Sequence, residues 1–179
     1  FYYALGGIKA VGLESISNIV KERELNGKFK SINDFIKRVN PKDINKLQLE
    51  GLVKSGAFDD LSLNRQSIFN SIPNLILKSK NLYDNKILNQ IELFESENNE
   101  NDQIISSCED WVFDERLTKE FESVGFFISD HPLNQYKDIF LDYKIIDFVT
   151  FDNTKENRDY NLAATILKIQ ERKTQKGNS

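Results

Sequence analysis

The sequence has 179 residues, 39% of them hydrophobic, and a formal net charge of -4, so it can bury a core as one domain with an appendage or as two small modules. No long apolar run and no charged-then-apolar leader are visible, so we expect neither membrane insertion nor secretion, and a cytoplasmic location. One Cys and one His provide neither an internal disulfide nor a ligand set for a structural zinc site.

The charge is divided unevenly along the chain. Residues 1–90 carry 14 Lys and Arg against 9 Asp and Glu, whereas the remaining residues carry 10 against 19. This asymmetry predicts a basic module followed by an acidic one, and a basic module is the part that could bind nucleic acid.

The first residues have the pattern of a helix-hairpin-helix unit. Leu5–Leu25 breaks at Gly6-Gly7 and at Gly12 and then shows apolar residues at helical spacing, which predicts a helix end, a tight hairpin and a helix. Ser31–Asp34 resembles a capping box with Asp in place of Glu, and it predicts a helix that ends near Asn40-Pro41.

A second, similar unit follows. Asp43 is predicted to cap a helix whose apolar stripe ends at Gly56, a residue type common just after a helix. The next amphipathic helix is predicted to bend at Pro73 and to run toward Tyr83. The sequence therefore predicts a mainly α fold with a tandem helix-hairpin-helix module at its start.

Beyond this module the composition changes. Glu95–Ser107 is dominated by polar residues, so we expect a flexible linker. Trp111–Phe127 resumes a helical pattern, Asp147–Phe151 is predicted to form a short strand, and the apolar string from Asn161 favours another strand. A β module is therefore expected to begin near the end of the sequence.

Two hairpins could bind phosphate. Ile8–Gly12 joins two predicted helices through a short turn that leaves the amides of the second helix unpaired, and Lys54–Ala57 offers a similar turn. Side by side, two such turns would hold DNA backbones without contacting bases. From spacing alone, phosphate binding and plain helix packing remain open alternatives. The predicted DNA-contacting residues are Lys9, Ala10, Val11, Gly12, Lys54, Ser55 and Gly56.

A short peptide at the edge of the acidic segment is a second candidate site. In Gln90–Phe94, Leu93 and Phe94 could insert into an apolar pocket of a partner while Gln90 bonds to its rim. The alternative is that these residues only pack against the preceding helix, and the residues alone favour this packing role.

No catalytic constellation is evident. We interpret His131 as structural, Cys108 as an ordinary thiol and the acidic residues of Glu109–Glu122 as a solvated helix face. We therefore predict no catalytic residue, no metal ligand and no cofactor within this sequence.

Several motifs, in order, resemble the α subunit of bacterial DNA polymerase III, the C-family replicative polymerase. The matching strings are Tyr3–Gly12, Phe29-Lys30-Ser31, Asp34-Phe35, Asn45-Lys46, Leu52–Asp59, Asn64-Arg65, Glu122–Leu133 with its Gly-Phe-Phe and His-Pro-Leu elements, and Thr174–Asn178. The family usually has Gly where this sequence has Ala10, which puts the phosphate contact of the first hairpin in question.

The resemblance implies a domain order and a set of partners. It implies a helix-hairpin-helix module at 1–88, a clamp-binding peptide and linker at 89–108, a helical connector at 109–157 and the start of an OB-fold barrel at 158–179. It also implies that Gln90, Leu93 and Phe94 bind the β sliding clamp, which reverses the packing interpretation. Double-stranded DNA and other replicase subunits are the further expected partners, and no membrane is expected.

The resemblance further implies what this chain lacks. The sequence starts within an apolar stretch at Phe1 and ends at a turn-like Lys176–Ser179, so we expect a piece of a longer polymerase. The carboxylates that bind catalytic Mg²⁺, and a phosphoesterase-like domain, are expected upstream. A helix-hairpin-helix module of a repair or recombination protein remains the first alternative, and an interaction domain without a nucleic-acid role is the second.

Overall fold

The computed structural model describes residues 4–87, 105–154, 158–167 and 169–170, and these residues are mainly helical. The chain divides into two compact units, Phe1–Ser129 and Asp130–Ser179. The α-helices are α1 Leu13–Asn26, α2 Ile32–Arg38, α3 Lys46–Lys54, α4 Arg65–Ile87, α5 Phe113–Val124, α6 Lys137–Asp142 and α7 Phe148–Asn153. Within the described residues, no helix is both long and apolar enough to cross a membrane.

The apolar stripes of α1 to α4 meet in the core of the first unit. Phe35 lies at its centre and makes edge-to-face contacts with Phe29 and Phe58, with ring centroids 5.1 Å apart in both pairs. The most deeply buried large side chains of this core are Ile36, Leu49, Ile68, Ile72 and Leu75. The helical spacing of these residues therefore places them on one face of each helix.

Side-chain caps fix where two of the helices begin. The Ser31 hydroxyl accepts from the Asp34 amide at 3.1 Å, as predicted for α2. For α3 the prediction was wrong, because the cap is Asn45 and not Asp43. Asn45 and Gln48 form a reciprocal capping box, with bonds of 2.9 and 3.1 Å, whereas the Asp43 carboxylate accepts from the Asn18 amide group.

The segment after the acidic stretch packs along α4. The amide of Ser106 donates to Ser71 Oγ at 3.0 Å, and the amide of Cys108 donates to Ser67 Oγ at 3.2 Å. Trp111 is buried and contacts Phe69 edge-to-face. The chain divides structurally between Ser129 and Asp130, and the predicted domain boundaries near 88, 108 and 157 stay predictions.

The helix α4 extends past Tyr83, toward which it was predicted to run, and its predicted bend at Pro73 stays a prediction. It continues through Pro73 as one helix from Arg65 to Ile87. The predicted linker Glu95–Ser107 falls outside the described residues except for its last three residues. Of these, Ser106 is held by α4.

The second unit holds short helices and no β-strand among its described residues. The strand predicted at Asp147–Phe151 is instead the start of α7, because the Asp147 carboxylate caps the helix by accepting from the Thr150 amide at 2.7 Å. An isolated parallel bridge joins Ile145 and Asn161. The predicted OB-fold start therefore stays a prediction, and Thr174–Asn178 lies outside the described residues.

Candidate nucleic-acid interface

The first hairpin connects a 3₁₀ turn, Leu5–Gly7, to α1. Ile8 and Val11 are buried in the core, whereas Lys9, Ala10 and Gly12 are exposed. Two apolar side chains thus anchor the hairpin, and the backbone between them faces outward. Of the predicted contact residues, Val11 belongs to the anchor, so only its backbone could contact a ligand.

The helix that follows this hairpin begins without a side-chain cap. Gly12 is its N-cap, and the first amide with an acceptor inside the helix is that of Ile16, which donates to Gly12 O at 3.1 Å. The amides of the first turn are the unpaired donors that every α-helix has at its start. Together with the helix dipole, they form a site that favours an anion such as phosphate.

The charge around this turn is mixed. Lys9 adds a positive side chain, but Glu14 exposes a carboxylate in the first turn of α1. The two opposite charges leave little net charge at the hairpin. A phosphate bound here would therefore depend mainly on the backbone amides and the helix dipole.

Two neighbouring helices hold the hairpin in place. The amide of Lys9 donates to Ser123 O of α5 at 2.9 Å. On the other side the hairpin lies against Gly51 of α3, where an added Cβ would be 2.9 Å from Lys9 O. The sequence did not predict that Ser123 or Gly51 contacts the hairpin. For Gly51, the available signal was a glycine within the apolar stripe of a predicted helix.

Ala10 occupies a left-handed backbone conformation, with φ of 63°. This region places Cβ close to the following carbonyl group and costs an L-residue about 1–2 kcal/mol, whereas glycine adopts it freely. The hairpin therefore tolerates strain at the position where glycine is the residue type that fits best.

Replacing Ala10 with glycine is expected to raise the free energy of unfolding by roughly 0.5–1 kcal/mol, since relief of the strain exceeds the added entropy of the unfolded chain. Urea denaturation followed by circular dichroism measures this change. Ala57→Gly is the matched control, because Ala57 is exposed and has no positive φ. This variant relieves no strain and only adds entropy to the unfolded chain, so its free energy of unfolding should fall. An Ala10→Gly variant less stable than the wild type would contradict the assignment of strain.

The second predicted hairpin has a different geometry from the first. The amide of Gly56 donates to Val53 O at 3.0 Å and that of Ala57 to Leu52 O at 2.9 Å, the pair of bonds that closes many helix C-termini. Gly56 has φ of 76°, as such an end requires. The amides of Gly56 and Ala57 are thus already paired within the chain.

The side chain of Lys54 is also engaged. Its Nζ lies 3.0 Å from Glu122 Oε2, and only 22% of the side chain is exposed. The predicted contacts of Lys54, Ser55 and Gly56 with DNA stay a prediction, and in this geometry they would require Lys54 to exchange its partner. The first hairpin is therefore the stronger candidate.

A buried ion-pair network links α5 to the turn before α4. The guanidinium of Arg65 pairs with both carboxylate oxygens of Asp59, at 2.8 and 2.6 Å, and with Glu120 Oε1 at 2.8 Å. Glu120, which is fully buried, also accepts from the amides of Ile128 and Ser129 at 2.7 and 2.9 Å. The prediction that this acidic segment is a solvated face is thus wrong for Glu120.

The same network sets the protonation of Glu120. Burial alone would raise its pKa, but hydrogen bonds from Ser129 and Ile128 and the contact with Arg65 outweigh this effect, so the pKa lies below the ordinary glutamate value. Burial would likewise lower the pKa of Arg65, yet its bonds to Asp59 and Glu120 raise it. Both side chains are therefore charged at neutral pH.

Comparison of the sequence with known proteins supports a helix-hairpin-helix unit at the start of the chain. A family model described as a helix-hairpin-helix motif matches residues 1–68. Relatives named DNA polymerase III subunit alpha are 37% identical over 98% of this chain in Rickettsia conorii, 34% over 99% in Borreliella burgdorferi and 34% over 86% in Campylobacter jejuni. Over nearly its whole length, the chain is similar to one segment of DNA polymerase III subunit alpha. It spans about 15% of the length of the Rickettsia conorii relative.

The Gly-Phe-Phe and His-Pro-Leu motif of this polymerase III α homologue crosses the boundary between its two units. Gly125, with φ of 87°, ends α5, and Ser129 contacts Glu120 in the first unit. In the second unit, His131 Nδ1 accepts from the amide of Leu133 at 3.2 Å and so caps the 3₁₀ turn Pro132–Tyr136. The contact is consistent with the structural role predicted for His131.

The other predicted site of the polymerase III α homologue has no described geometry. Gln90, Leu93 and Phe94 lie outside the described residues. Within the described ranges, no group of three or more His, Cys, Asp and Glu side chains is placed to hold a metal ion.

Proposed function

We propose that the chain holds duplex DNA as part of a DNA-directed DNA polymerase, by donating backbone amides of the first hairpin to phosphate oxygens. The observation that carries the proposal is the first turn of α1, which has no side-chain cap and follows an exposed N-cap glycine, Gly12. The helix-hairpin-helix match over residues 1–68 and the name of the relatives support it.

The proposed contact is independent of base sequence. Backbone amides bind phosphate oxygens, which every nucleotide presents, so they fix the position of the protein without identifying bases. The affinity should fall as salt rises, because bound protein displaces counterions from the DNA. Such a contact suits a polymerase, which must hold any product duplex while moving along it.

The alternative is a helix-hairpin-helix module of a repair or recombination protein. Matches to polymerase III α subunits over 98% of the chain favour the polymerase. An interaction domain without a nucleic-acid role would show no salt-sensitive affinity for duplex DNA, so a duplex titration of the chain distinguishes it. Polymerisation itself would need Mg²⁺-binding carboxylates, which we place in a part of the longer relatives outside this chain.

We further propose that Gln90–Phe94 tethers the polymerase to its sliding clamp. The support is the sequence Gln-Ile-Glu-Leu-Phe, which fits the Gln-x-x-Leu-Phe pattern implied by the family resemblance. A tether of this kind raises the local concentration of polymerase at DNA that the clamp encircles, and it does so without a new contact to DNA.

The tether predicts that Leu93→Ala/Phe94→Ala weakens clamp binding by about tenfold or more, because apolar anchors usually contribute most of the affinity of a short peptide. Isothermal titration of a bacterial β clamp with the full chain measures this change. Ile91→Ala/Glu92→Ala is the matched control, since it alters the two positions that the pattern leaves open, and it should bind nearly as the wild type does. Equal affinities of all three proteins would refute the tether.

A further inference from the structure

An open groove of about 710 Å³ lies on the first unit where α1, the loop after it and the turn after α3 meet. Its floor is apolar and formed largely by core side chains, namely Ile16, Ile19, Phe29, Phe35, Phe58 and Leu61. The volume is within the range of pockets that take drug-sized ligands, about 300–1,000 Å³. The groove can thus accept large apolar side chains.

The rim of the groove is mainly basic. Arg23, Lys28 and Lys30 line it and are exposed, and Asp60 is the one acidic residue of the lining. In the described part of the chain, the ion pairs of this unit involve cations outside the rim, such as Arg38 and Lys54. The positive charge of the rim can therefore act on a ligand, and that of Lys30 also helps to lower the pKa of the nearby Asp34 carboxyl.

The loop after α1, which carries Lys28 and Lys30, is held in a fixed shape by Arg38. Arg38 donates to the carbonyl oxygens of Glu22 and Gly27 at 3.3 and 2.8 Å, and its guanidinium lies 4.5 Å from the ring centroid of Phe29. A further bond of 3.4 Å reaches Lys28 O. Because the loop is already ordered, a ligand would bind without the entropic cost of shaping it.

We propose that this groove docks an acidic peptide of a protein partner, whose large apolar side chains enter the groove while its carboxylates meet Lys28 and Lys30. The charge of the rim selects an anionic ligand. The aromatic and aliphatic floor selects a peptide over duplex DNA, because a phosphate backbone presents no large apolar group to it.

Fluorescence anisotropy tests the proposal with the full chain and a short fluorescein-labelled peptide that carries a Leu-Trp pair between glutamates. Lys28→Glu/Lys30→Glu should weaken binding by about tenfold or more and should favour a peptide with lysines in place of the glutamates. Lys21→Glu/Lys80→Glu is the matched control, with the same change of net charge outside the groove. Ala57→Trp should also weaken binding, since Ala57 is an exposed residue of the lining that a large side chain would fill.

The outcomes separate the groove from the DNA site. Gly12→Asp, which alters the first hairpin, should leave peptide binding unchanged. The proposal is overturned if the peptide does not bind, if it binds equally well with serines replacing Leu and Trp, or if the Lys21/Lys80 control loses as much affinity as the Lys28/Lys30 variant. Loss of peptide binding in Gly12→Asp alone would show that the peptide binds at the hairpin and would also overturn the groove proposal.

Discussion

Replacing Glu120 with alanine is expected to lower the free energy of unfolding of the first unit by about 3–5 kcal/mol, the cost of removing one partner from a buried ion pair. Glu120 is fully excluded from solvent and pairs with Arg65, whose side chain is only 4% exposed. The variant leaves part of the Arg65 charge uncompensated, and it removes the acceptor of the Ile128 and Ser129 amides. Chemical denaturation followed by circular dichroism measures the loss.

Glu122→Ala is the matched control for this prediction. Glu122 lies on the same helix and also forms an ion pair, with Lys54, but its side chain is 53% exposed. Exposed ion pairs contribute about 0–1 kcal/mol, so the control should lose no more than that. Equal losses in the two variants would show that the Glu120 network does not stabilise the fold.

The pH dependence gives a second readout of the same network. Because the pKa of Glu120 is lowered in the folded state, its contribution to stability is present above the ordinary glutamate pKa and is lost as pH falls through the lowered value. The difference in stability between the wild type and Glu120→Ala should therefore be largest near neutral pH and should shrink in acid. A difference that grew in acid would contradict the assigned direction.

Local sequence patterns predicted the helices of the first unit because their causes are local. The apolar stripes of α1 to α4 and the Ser31 cap depend on residues within one or two helical turns. Local pattern failed at Asp147–Phe151, where β-branched and aromatic residues favour a strand. There, one hydrogen bond from the Thr150 amide to the Asp147 carboxylate caps a helix instead.

The candidate site was predicted only in part, since much of it depends on contacts between distant residues. The first hairpin was located from its glycines, but Ser123, which accepts from the Lys9 amide, lies 114 positions away. Sequence also could not identify which carboxylate of Glu109–Glu122 would meet Arg65. The Gly56 turn shows a further limit, because a glycine that ends a helix and one that opens a phosphate site look alike in sequence.

Replacing Gly12 with aspartate is expected to weaken duplex binding by roughly a hundredfold, because a carboxylate beside the phosphate costs several kcal/mol. Gly12 has φ of -75° and ψ of 136°, which any residue can adopt. An added Cβ would lie 3.4 Å from Gln48 Nε2, a tolerable contact. The aspartate can cap α1 by accepting from its first-turn amides, so it occupies the donors that the phosphate would use.

This substitution separates binding from folding. An aspartate cap should leave the chain as stable as the wild type or more stable by a few tenths of a kcal/mol, so weaker binding cannot be attributed to unfolding. Gly12→Asn has nearly the same shape without the charge, and it should lose less affinity than Gly12→Asp. Ser31→Asp places the same charge at the N-cap of α2 and should bind DNA nearly as the wild type does.

The first hairpin is expected to hold the DNA backbone, and one titration tests this contact most directly. A fluorescein-labelled duplex of arbitrary sequence is titrated with the wild type, Gly12→Asp, Gly12→Asn and Ser31→Asp at several salt concentrations. We expect affinity that falls with salt, a loss of roughly a hundredfold in Gly12→Asp and a shallower salt dependence in that variant, since a phosphate contact is removed. Wild-type affinity in a folded Gly12→Asp variant would contradict the claim.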